Sequence, residues 1–392
     1  MENMFITKIR VNKIRHIENL DIDLSWSKKM NLIITGKNGS GKTSLLETIR
    51  DIIKNIAEKT YLYSSLPIDM NDNVDLEESI VRYDLTMYSA AIYFNQIEHA
   101  YDITNKYLFV FIPAFNKFRP EIPNSIEKIE FENKFDINTS ASPKLLKYML
   151  TLDYQRLTAF STGDEHTGNI INNWFDSLQR ALKNIYQCPE LELRVDAKNF
   201  NFKIHIPGLA PFGLNEMSDG YASFLDIVME LMLRMDDGNA IVNYTQPGFV
   251  FIDEIEAHLH VDLQKKIMPF LTELFPEIQF IVTTHSPFVI TSLENAVVFD
   301  LEKRERLENP TLYSYESVVE AFLATDMYSG RIKGLFQRYK ELLFKEPRTK
   351  DENIEFLRAK SELELVPPAS RELYEEFRML EAQRKVLKNG QN

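Results

Sequence analysis

Residues 36–43 of the 392-residue chain read GKNGSGKT, between the apolar run MNLIIT (30–35) and TSLLETIRDIIKNIAEK (43–59). The first run predicts a buried strand, and the second has the apolar spacing of an amphipathic helix. Gly36, Gly39 and Gly41 allow a tight turn whose backbone N–H groups converge on phosphate oxygens. Strand, glycine loop and helix in this order predict a phosphate-binding loop and a helix whose positive end faces a triphosphate.

Composition excludes several classes of protein. With 44% hydrophobic and 26% charged residues, the chain is expected to fold as a soluble globule. Its apolar runs are too short to span a membrane, and its first residues lack a secretory signal pattern. The single cysteine, Cys188, fits a reducing cytoplasm rather than a disulfide framework. A net charge of −13 argues against a wholly basic nucleic-acid binder, but it leaves room for a local basic groove.

A second motif, GFVFIDE (248–254), predicts a buried strand that ends in two carboxylates. In a parallel sheet, Asp253 would lie beside the phosphate loop and hold Mg²⁺ through water. Lys42 would reach the β- and γ-phosphates, Thr43 would bind Mg²⁺, and Glu254 would act as general base. Taken alone, the acidic pair is equally well two solvated side chains, but Lys42 weakens that alternative.

Two further segments complete the pattern. His285 in TTHSP (283–287) follows another buried strand, although a lone histidine is more often structural. In MSDGYAS (217–223), Ser218 and Gly220 precede a helix and form a second anion site. Taken alone, that segment would be interpreted as a plain helix N-cap.

The phosphate loop, the S-D-G segment, the DE strand and the histidine, in this order, resemble ATP-binding-cassette (ABC) ATPases. In that superfamily two heads bind head to tail with ATP between them. The resemblance implies that Ser218 and Gly220 contact the γ-phosphate held by the partner head, that Glu254 activates water and that His285 senses the γ-phosphate. The segment departs from the usual L-S-G-G-Q, since Met is found in place of Leu and Asp in place of the first Gly.

The subfamily is narrowed by KIRVNKIRHIENLDIDL (8–24) and DEIEAHLHVDLQKKIMPFL (253–271), which resemble RecF, SMC and OLD-like heads. Many of these, the PtuA and AriA types among them, are bacterial anti-phage defence ATPases. By this resemblance Arg15 lies near the nucleotide. Gln96 is the candidate glutamine-loop ligand of Mg²⁺, with an ordinary strand-end glutamine as an equal alternative.

The predicted fold class is α/β, an ABC-ATPase head of the P-loop NTPase type with a mixed sheet flanked by helices. The head is predicted over residues 1–312, with an inserted α/β lobe at about 120–212 and a helical C-terminal extension over 313–392. The predicted nucleotide-contacting residues are Arg15, Gly36, Lys37, Asn38, Gly39, Ser40, Gly41, Lys42, Thr43, Ser44, Ser218 and Gly220. The predicted Mg²⁺ ligands are Thr43, Asp253 and Gln96, and the predicted catalytic residues are Glu254 and His285.

The function expected from the resemblance is a cytoplasmic ATPase that dimerises around ATP and Mg²⁺ and controls a separately encoded effector, a nuclease or toxin, in phage defence. A RecF-like repair ATPase that acts directly on DNA, or an ATP-locked scaffold without turnover, remains an alternative. No D-x-D pair follows His285, so no nuclease centre is expected in the chain. FQRYKELLFK (336–345), with Phe336, Tyr339, Leu342 and Phe344, is the strongest candidate for partner contact, and core packing is its alternative.

Overall fold

The computed structural model describes residues 3–57, 90–95, 106–114, 120–123, 142–235, 242–321, 330–345, 347–365 and 375–383. The chain divides into two compact units, Met1–Leu323 and Ala324–Asn392. The strands of the first unit are β1 (Ile6–Ile14), β2 (Ile17–Asp23), β3 (Asn31–Thr35), β4 (Ala90–Phe94), β5 (Leu108–Ile112), β6 (Glu192–Asp196), β7 (Asn201–His205), β8 (Phe212–Gly213), β9 (Gly248–Ile252), β10 (Ile278–Thr283), β11 (Ala296–Asp300) and β12 (Glu305–Glu308). Its helices are α1 (Lys42–Ala57), α2 (Leu145–Thr162), α3 (Glu165–Tyr186), α4 (Asp219–Met235), α5 (Val261–Gln264), α6 (Ile267–Leu274), α7 (Pro287–Ile290) and α8 (Tyr315–Ala321), and the second unit contains α9 (Gly330–Leu343) and α10 (Lys350–Leu363).

The central sheet of the first unit has the strand order β12-β11-β3-β10-β9-β5. Its pairings are parallel except for β12, which runs antiparallel to β11 at the edge. The predicted mixed sheet flanked by helices is thus confirmed. Because β3, β10 and β9 are parallel neighbours, the loops after all three meet at one edge, where ligands bind in open α/β sheets.

Both faces of this sheet are covered, which explains why its strands are continuously apolar. On β9, Val250 and Ile252 join the core formed with α2, α3, α4 and α6. Phe249 and Phe251 point the other way, into a core formed with α1 and the β2-β1-β4 sheet. If polar residues alternated along β9, polar side chains would enter one of these two cores. The continuously apolar sequence of β9 therefore suits a strand that is buried on both faces.

The region predicted as an inserted lobe contains a helical hairpin and a small sheet. Asp164 caps α3 by accepting a hydrogen bond from the Thr167 N–H (3.1 Å), and Gly163 before it takes the left-handed conformation that ends α2. Strands β6 and β7 of this region pair antiparallel as a hairpin within LELRVDAKNFNFKIHI (191–206).

The second unit has a core of its own. The ring of Tyr339 on α9 stacks on Phe356 of α10 with centroids 5.3 Å apart. Phe336 and Leu342 are buried in the same cluster, whereas Phe344 is 55% exposed. Core packing is therefore the role of three of the four side chains proposed for partner contact, because α10 covers the apolar face of α9.

Within the described ranges, none of the helices combines the length and hydropathy needed to cross a bilayer.

Candidate active site

The loop between β3 and α1 takes a conformation that only its glycines permit. Gly36, Gly39 and Gly41 all have positive φ (138°, 81° and 97°). A Cβ on Gly41 would lie 2.7 Å from Cδ1 of Ile17, at the start of β2, and one on Gly36 would lie 2.9 Å from the Ser40 hydroxyl. The β1–β2 hairpin therefore packs directly on the loop, and side chains at these positions would push the two apart.

Lys42, at the first position of α1, is folded back over the loop. Its Nζ donates hydrogen bonds to the carbonyl oxygens of Gly36 (2.8 Å) and Lys37 (3.2 Å). Burial lowers the pKa of Lys42, while nearby carboxylates act in the opposite direction. A lysine ammonium held at the phosphate loop suits the β- and γ-phosphates of a nucleotide. Ser44, two residues further along α1, is buried.

Thr43 connects the phosphate loop to the DE strand. Its hydroxyl donates to Oδ2 of Asp253 at 2.9 Å and lies 3.2 Å from Oδ1. Asp253 is fixed in turn by the Thr283 hydroxyl, which donates to Oδ1 (2.6 Å), and its N–H donates to the carbonyl of Ile112 (2.9 Å). The predicted Thr43 and Asp253 pair is thus brought together from positions 210 residues apart.

Glu254 follows in a strained backbone position. Its φ is +47°, in the left-handed region that side-chain-bearing residues rarely adopt. Its N–H donates to the Thr283 hydroxyl (2.7 Å), which holds that conformation. Its carboxylate forms no hydrogen bond with any residue in the described part of the chain and is partly exposed. A fixed backbone with an uncommitted carboxylate fits a general base.

His285 lies after β10, beside the same edge. Burial and the nearby Lys42 lower the pKa of His285, and Asp253 raises it. Its Nε2 is buried without a hydrogen-bond partner among the described residues. A buried ring nitrogen without a partner is costly, so this atom is poised for a ligand group.

Glu256 is a site residue that sequence reasoning missed. Its Oε2 accepts from the Thr284 hydroxyl (2.6 Å), and its Oε1 accepts from the His285 N–H (2.5 Å). Burial raises the pKa of Glu256, and these hydrogen bonds lower it. The signal available in the sequence was an acidic residue two positions after the DE pair, but pairing it with His285 required the sheet.

The S-D-G segment lies apart from this cluster. Ser218 is exposed at the start of α4, and no hydrogen bond joins it to the phosphate loop in the described residues. Gly220 is buried, and a Cβ there would lie 3.1 Å from both the His258 carbonyl oxygen and Cδ2 of His260. Within one chain, Gly220 therefore packs against the loop that follows the DE pair.

A cavity of about 380 Å³ adjoins the outer side of the phosphate loop. Its wall includes His16, whose ring Nε2 lies 3.0 Å from the Ser40 carbonyl oxygen, and Lys37, which pairs with Glu302 (2.8 Å). Arg15 occupies the β1–β2 turn next to His16 with φ +51° and is exposed. The remaining lining residues are Ile17, Asn38, Gly39, Ser40, Leu301, Glu302 and Arg304. Gln96 lies outside the described residues.

The residues present fit ATP and Mg²⁺. The glycine loop has the positive-φ backbone that allows N–H groups to face phosphate oxygens, and the ammonium of Lys42 is folded back over it. Thr43 and Asp253 place a hydroxyl and a carboxylate together, the donor set that Mg²⁺ takes alongside phosphate oxygens. The buried Nε2 of His285 adds a group suited to a phosphate oxygen.

Fold and site together are those of the phosphate-loop ATPase class of protein. Comparison with known families goes further: residues 32–291 match the family described as "AAA domain, putative AbiEii toxin, Type IV TA system", and the chain belongs to that family. The expected resemblance to PtuA-type ATPases is confirmed by the relatives.

Two relatives are the Septu protein PtuA of Bacillus mycoides (strain KBAB4) and the Retron Ec83 probable ATPase of Escherichia coli. The first is 25% identical over 86% of this chain and 47% of its own length. The second is 25% identical over 55% of this chain and 39% of its own length. The chain thus spans less than half the length of either relative. Among solved structures, an Smc head bound to the C-winged helix domain of ScpA is 16% identical over 76% of this chain and 94% of its own, with a TM-score of 0.41.

Proposed function

We propose that this protein binds and hydrolyses ATP with Mg²⁺, dimerises head to tail around the nucleotide, and uses that cycle to control a separately encoded effector, a nuclease or toxin, in bacterial anti-phage defence. The observation that carries the proposal is the hydrogen bond between Thr43 and Asp253. It joins the two halves of the proposed Mg²⁺ site, since Thr43 lies in the first turn of α1 after the phosphate loop and Asp253 directly follows β9.

The chain's own residues divide the work of phosphoryl transfer to water. The glycine loop and Lys42 orient the triphosphate, and Thr43 and Asp253 hold the metal ion. Bound Mg²⁺ supplies charge neutralisation on the phosphate oxygens. Glu254, on its rigid strained backbone, takes the proton from the attacking water, and His285 meets the γ-phosphate with Nε2. Positioning and electrostatics supply most of the rate enhancement in such reactions.

In the proposed dimer, the second chain supplies the S-D-G segment that contacts the nucleotide of the first. Ser218 is exposed at the N-terminus of the 17-residue helix α4, where a hydroxyl and helical N–H groups attract an anion. The phosphate loop of the same chain already forms its own anion site. A second head docked head to tail would use Ser218 and Gly220 against the first head's nucleotide.

The proposal that this protein controls an effector rests on its relatives. One is a Septu protein and the other a retron ATPase, and this chain matches 47% of the length of the first and 39% of the second. We extend to this chain the defence role that the sequence resemblance implies. The nucleotide-dependent dimer then becomes the switch that the effector reads.

The proposed ATPase is tested by Mg²⁺-dependent phosphate release and by equilibrium binding of ATP. The wild-type chain is expected to bind ATP and release phosphate, whereas Lys42→Ala should lose both. Lys198→Ala, which removes an exposed lysine on the β6–β7 turn, is the matched control. Binding of ATP by Lys42→Ala with wild-type affinity would contradict the assignment of the loop.

A further inference from the structure

A groove runs along α3 on the first unit, away from the nucleotide site. Two cavities, of about 970 and 310 Å³, form it between α3 and α6. They share Arg180, Asn184, Phe270 and Glu273, so they are parts of one trough, named here the α3 groove. Because wall residues extend from 177 to 187, the groove is roughly 15 Å long at the rise of an α-helix.

Four cationic side chains line the α3 groove. Arg180 and Lys183 lie one turn apart on α3, and Lys265 and Lys266 lie at the junction of α5 and α6. Among the residues that the structure describes, none of the four forms an ion pair, and Glu273 is the single acidic residue in either cavity wall. In a chain with 58 acidic and 45 basic residues, this cluster is a local reversal of charge.

Neutral groups hold two of these cations in place. Nη2 of Arg180 donates to the Ser177 hydroxyl (2.9 Å). The ammonium of Lys265 lies 5.2 Å from the ring centroid of Phe288 and 5.3 Å from that of Tyr315. Cation–π contacts and a hydroxyl leave the positive charge uncompensated, so it can still attract a carboxylate or phosphate.

The floor of the α3 groove is apolar. The rings of Phe224 and Phe270 meet edge to face, with centroids 5.3 Å apart and an angle of 69°, and Ile185 and Pro269 extend the same surface. Apolar floor and cationic rim together match a chain segment that has apolar side chains on one face and carboxylates beside them. Grooves between helices bind amphipathic helices in this way.

We propose that the α3 groove binds an acidic amphipathic segment of a partner protein. Its carboxylates would meet Arg180, Lys183, Lys265 and Lys266, and its apolar side chains would cover Phe270. The inference rests on the proposed control of a partner for its biological use, but the binding itself requires no nucleotide.

Single-stranded nucleic acid fits the groove less well. Its bases stack on exposed flat faces of aromatic rings. Phe224 is buried, and its edge-to-face contact occupies part of the Phe270 ring. The floor therefore offers apolar contact in place of a stacking platform.

The test uses the full chain and a fluorescein-labelled helical peptide of about 14 residues, roughly 20 Å long, with Leu on one face and Glu on the other. Fluorescence anisotropy should show binding to the wild type. Arg180→Glu with Lys183→Glu should weaken binding about tenfold or more, since two rim attractions become repulsions. The double variant Arg180→Gln with Lys183→Gln removes both charges without reversing them. Its affinity for the peptide should lie between those of the wild type and the glutamate variant.

The matched control is Lys198→Glu with Lys350→Glu, which makes the same charge change at exposed positions outside the groove and should bind as the wild type does. A peptide with Ser in place of Leu should bind more weakly than the Leu peptide. Equal binding of the Leu peptide to the groove variant and its control would overturn the proposal. So would tight binding of an oligothymidylate that is lost in the groove variant while the peptide does not bind. Phosphate release, measured in the same variants, separates a failure of the groove from a failure of the ATPase.

Discussion

The backbone N–H of His285 donates a 2.5 Å hydrogen bond to Oε1 of Glu256, 29 residues earlier in the chain. The Thr284 hydroxyl donates to the other oxygen, Oε2 (2.6 Å). One carboxylate therefore fixes two successive residues at the end of β10. In the proposed mechanism, Glu256 positions His285 without touching the nucleotide.

Replacing Glu256 is expected to separate turnover from binding. Glu256→Ala removes both acceptors, so kcat for ATP hydrolysis should fall roughly tenfold or more, the scale typical of groups that orient a site residue through hydrogen bonds. KM should change little, because the phosphate loop and Lys42 remain. Glu256→Gln retains one oxygen to accept from the His285 N–H, and kcat should recover in part. Steady-state kinetics of the three proteins measures the split.

Folding must be excluded as the cause of that loss. Glu294→Ala, at an exposed position, is the control for removal of a carboxylate, and thermal unfolding of each variant reports the fold. If Glu256→Ala lost ATP affinity and stability in parallel while kcat of the bound fraction stayed constant, a purely structural role would replace the positioning role.

Asp253 carries the metal assignment. Asp253→Asn retains an oxygen that can accept from Thr43 but removes the negative charge. The Mg²⁺ concentration for half-maximal hydrolysis should rise about tenfold or more, since loss of a group that orients a metal costs 10- to 100-fold. Titration of Mg²⁺ at fixed ATP measures it, with Asp262→Asn as an exposed control. An unchanged Mg²⁺ requirement would remove Asp253 from the site.

Glu254 is tested by separating ATP binding from the chemical step. Glu254→Gln should bind ATP as the wild type does and lose roughly a hundredfold or more in turnover, the scale of general-base catalysis. Equilibrium ATP binding and single-turnover phosphate release measure the two quantities. Hydrolysis by Glu254→Gln at the wild-type rate would show that another group takes the proton.

The protonation of His285 gives a pH dependence with a definite sign. Burial and Lys42 lower the pKa of His285 in the folded chain. Below about pH 6.5, the unperturbed value, the unfolded chain takes up a proton that the folded site resists, so this contribution to stability is lost as pH falls. The unfolding free energy of the nucleotide-free wild type, relative to His285→Asn, should therefore decrease between pH 8 and pH 5.5. Urea unfolding of both proteins across that range measures it, and a constant difference would contradict the shift.

Local patterns were sufficient to predict one part of this site and insufficient for another. The phosphate loop and the end of β9 could be predicted because glycine spacing and an apolar run act over a few neighbouring residues. Thr283 and Glu256 could not, because their partners are set by the parallel pairing of β9 with β10. The packing of Ile17 against Gly41 likewise depends on where the β1–β2 hairpin lies.

In the second unit, the sequence alone could not distinguish a partner-binding surface from a buried core. A helix with Phe336, Tyr339 and Leu342 on one face has the pattern of a partner surface and of a core alike. Only the presence of α10 decides between them, and it buries all three side chains. The spacing of apolar residues predicted an amphipathic helix. It did not predict which other element would cover the apolar face of that helix.

Sharing of the site between two chains is tested by mixing inactive variants. Ser218→Arg places a bulky cation at the start of α4, and Lys42→Ala disables the phosphate loop, so each variant alone should lack turnover. In a head-to-tail dimer of the two, one composite site keeps an intact loop from the first chain and an intact S-D-G segment from the second. Random pairing at equal concentrations should restore about a quarter of the wild-type rate, because half of the dimers are mixed and each has one working site. Phosphate release against mixing ratio, with light scattering for assembly, provides the measurement. Full turnover by Ser218→Arg in a chain that stays monomeric would mean that each head hydrolyses ATP alone, and Ser218 would then be no more than the residue that precedes α4.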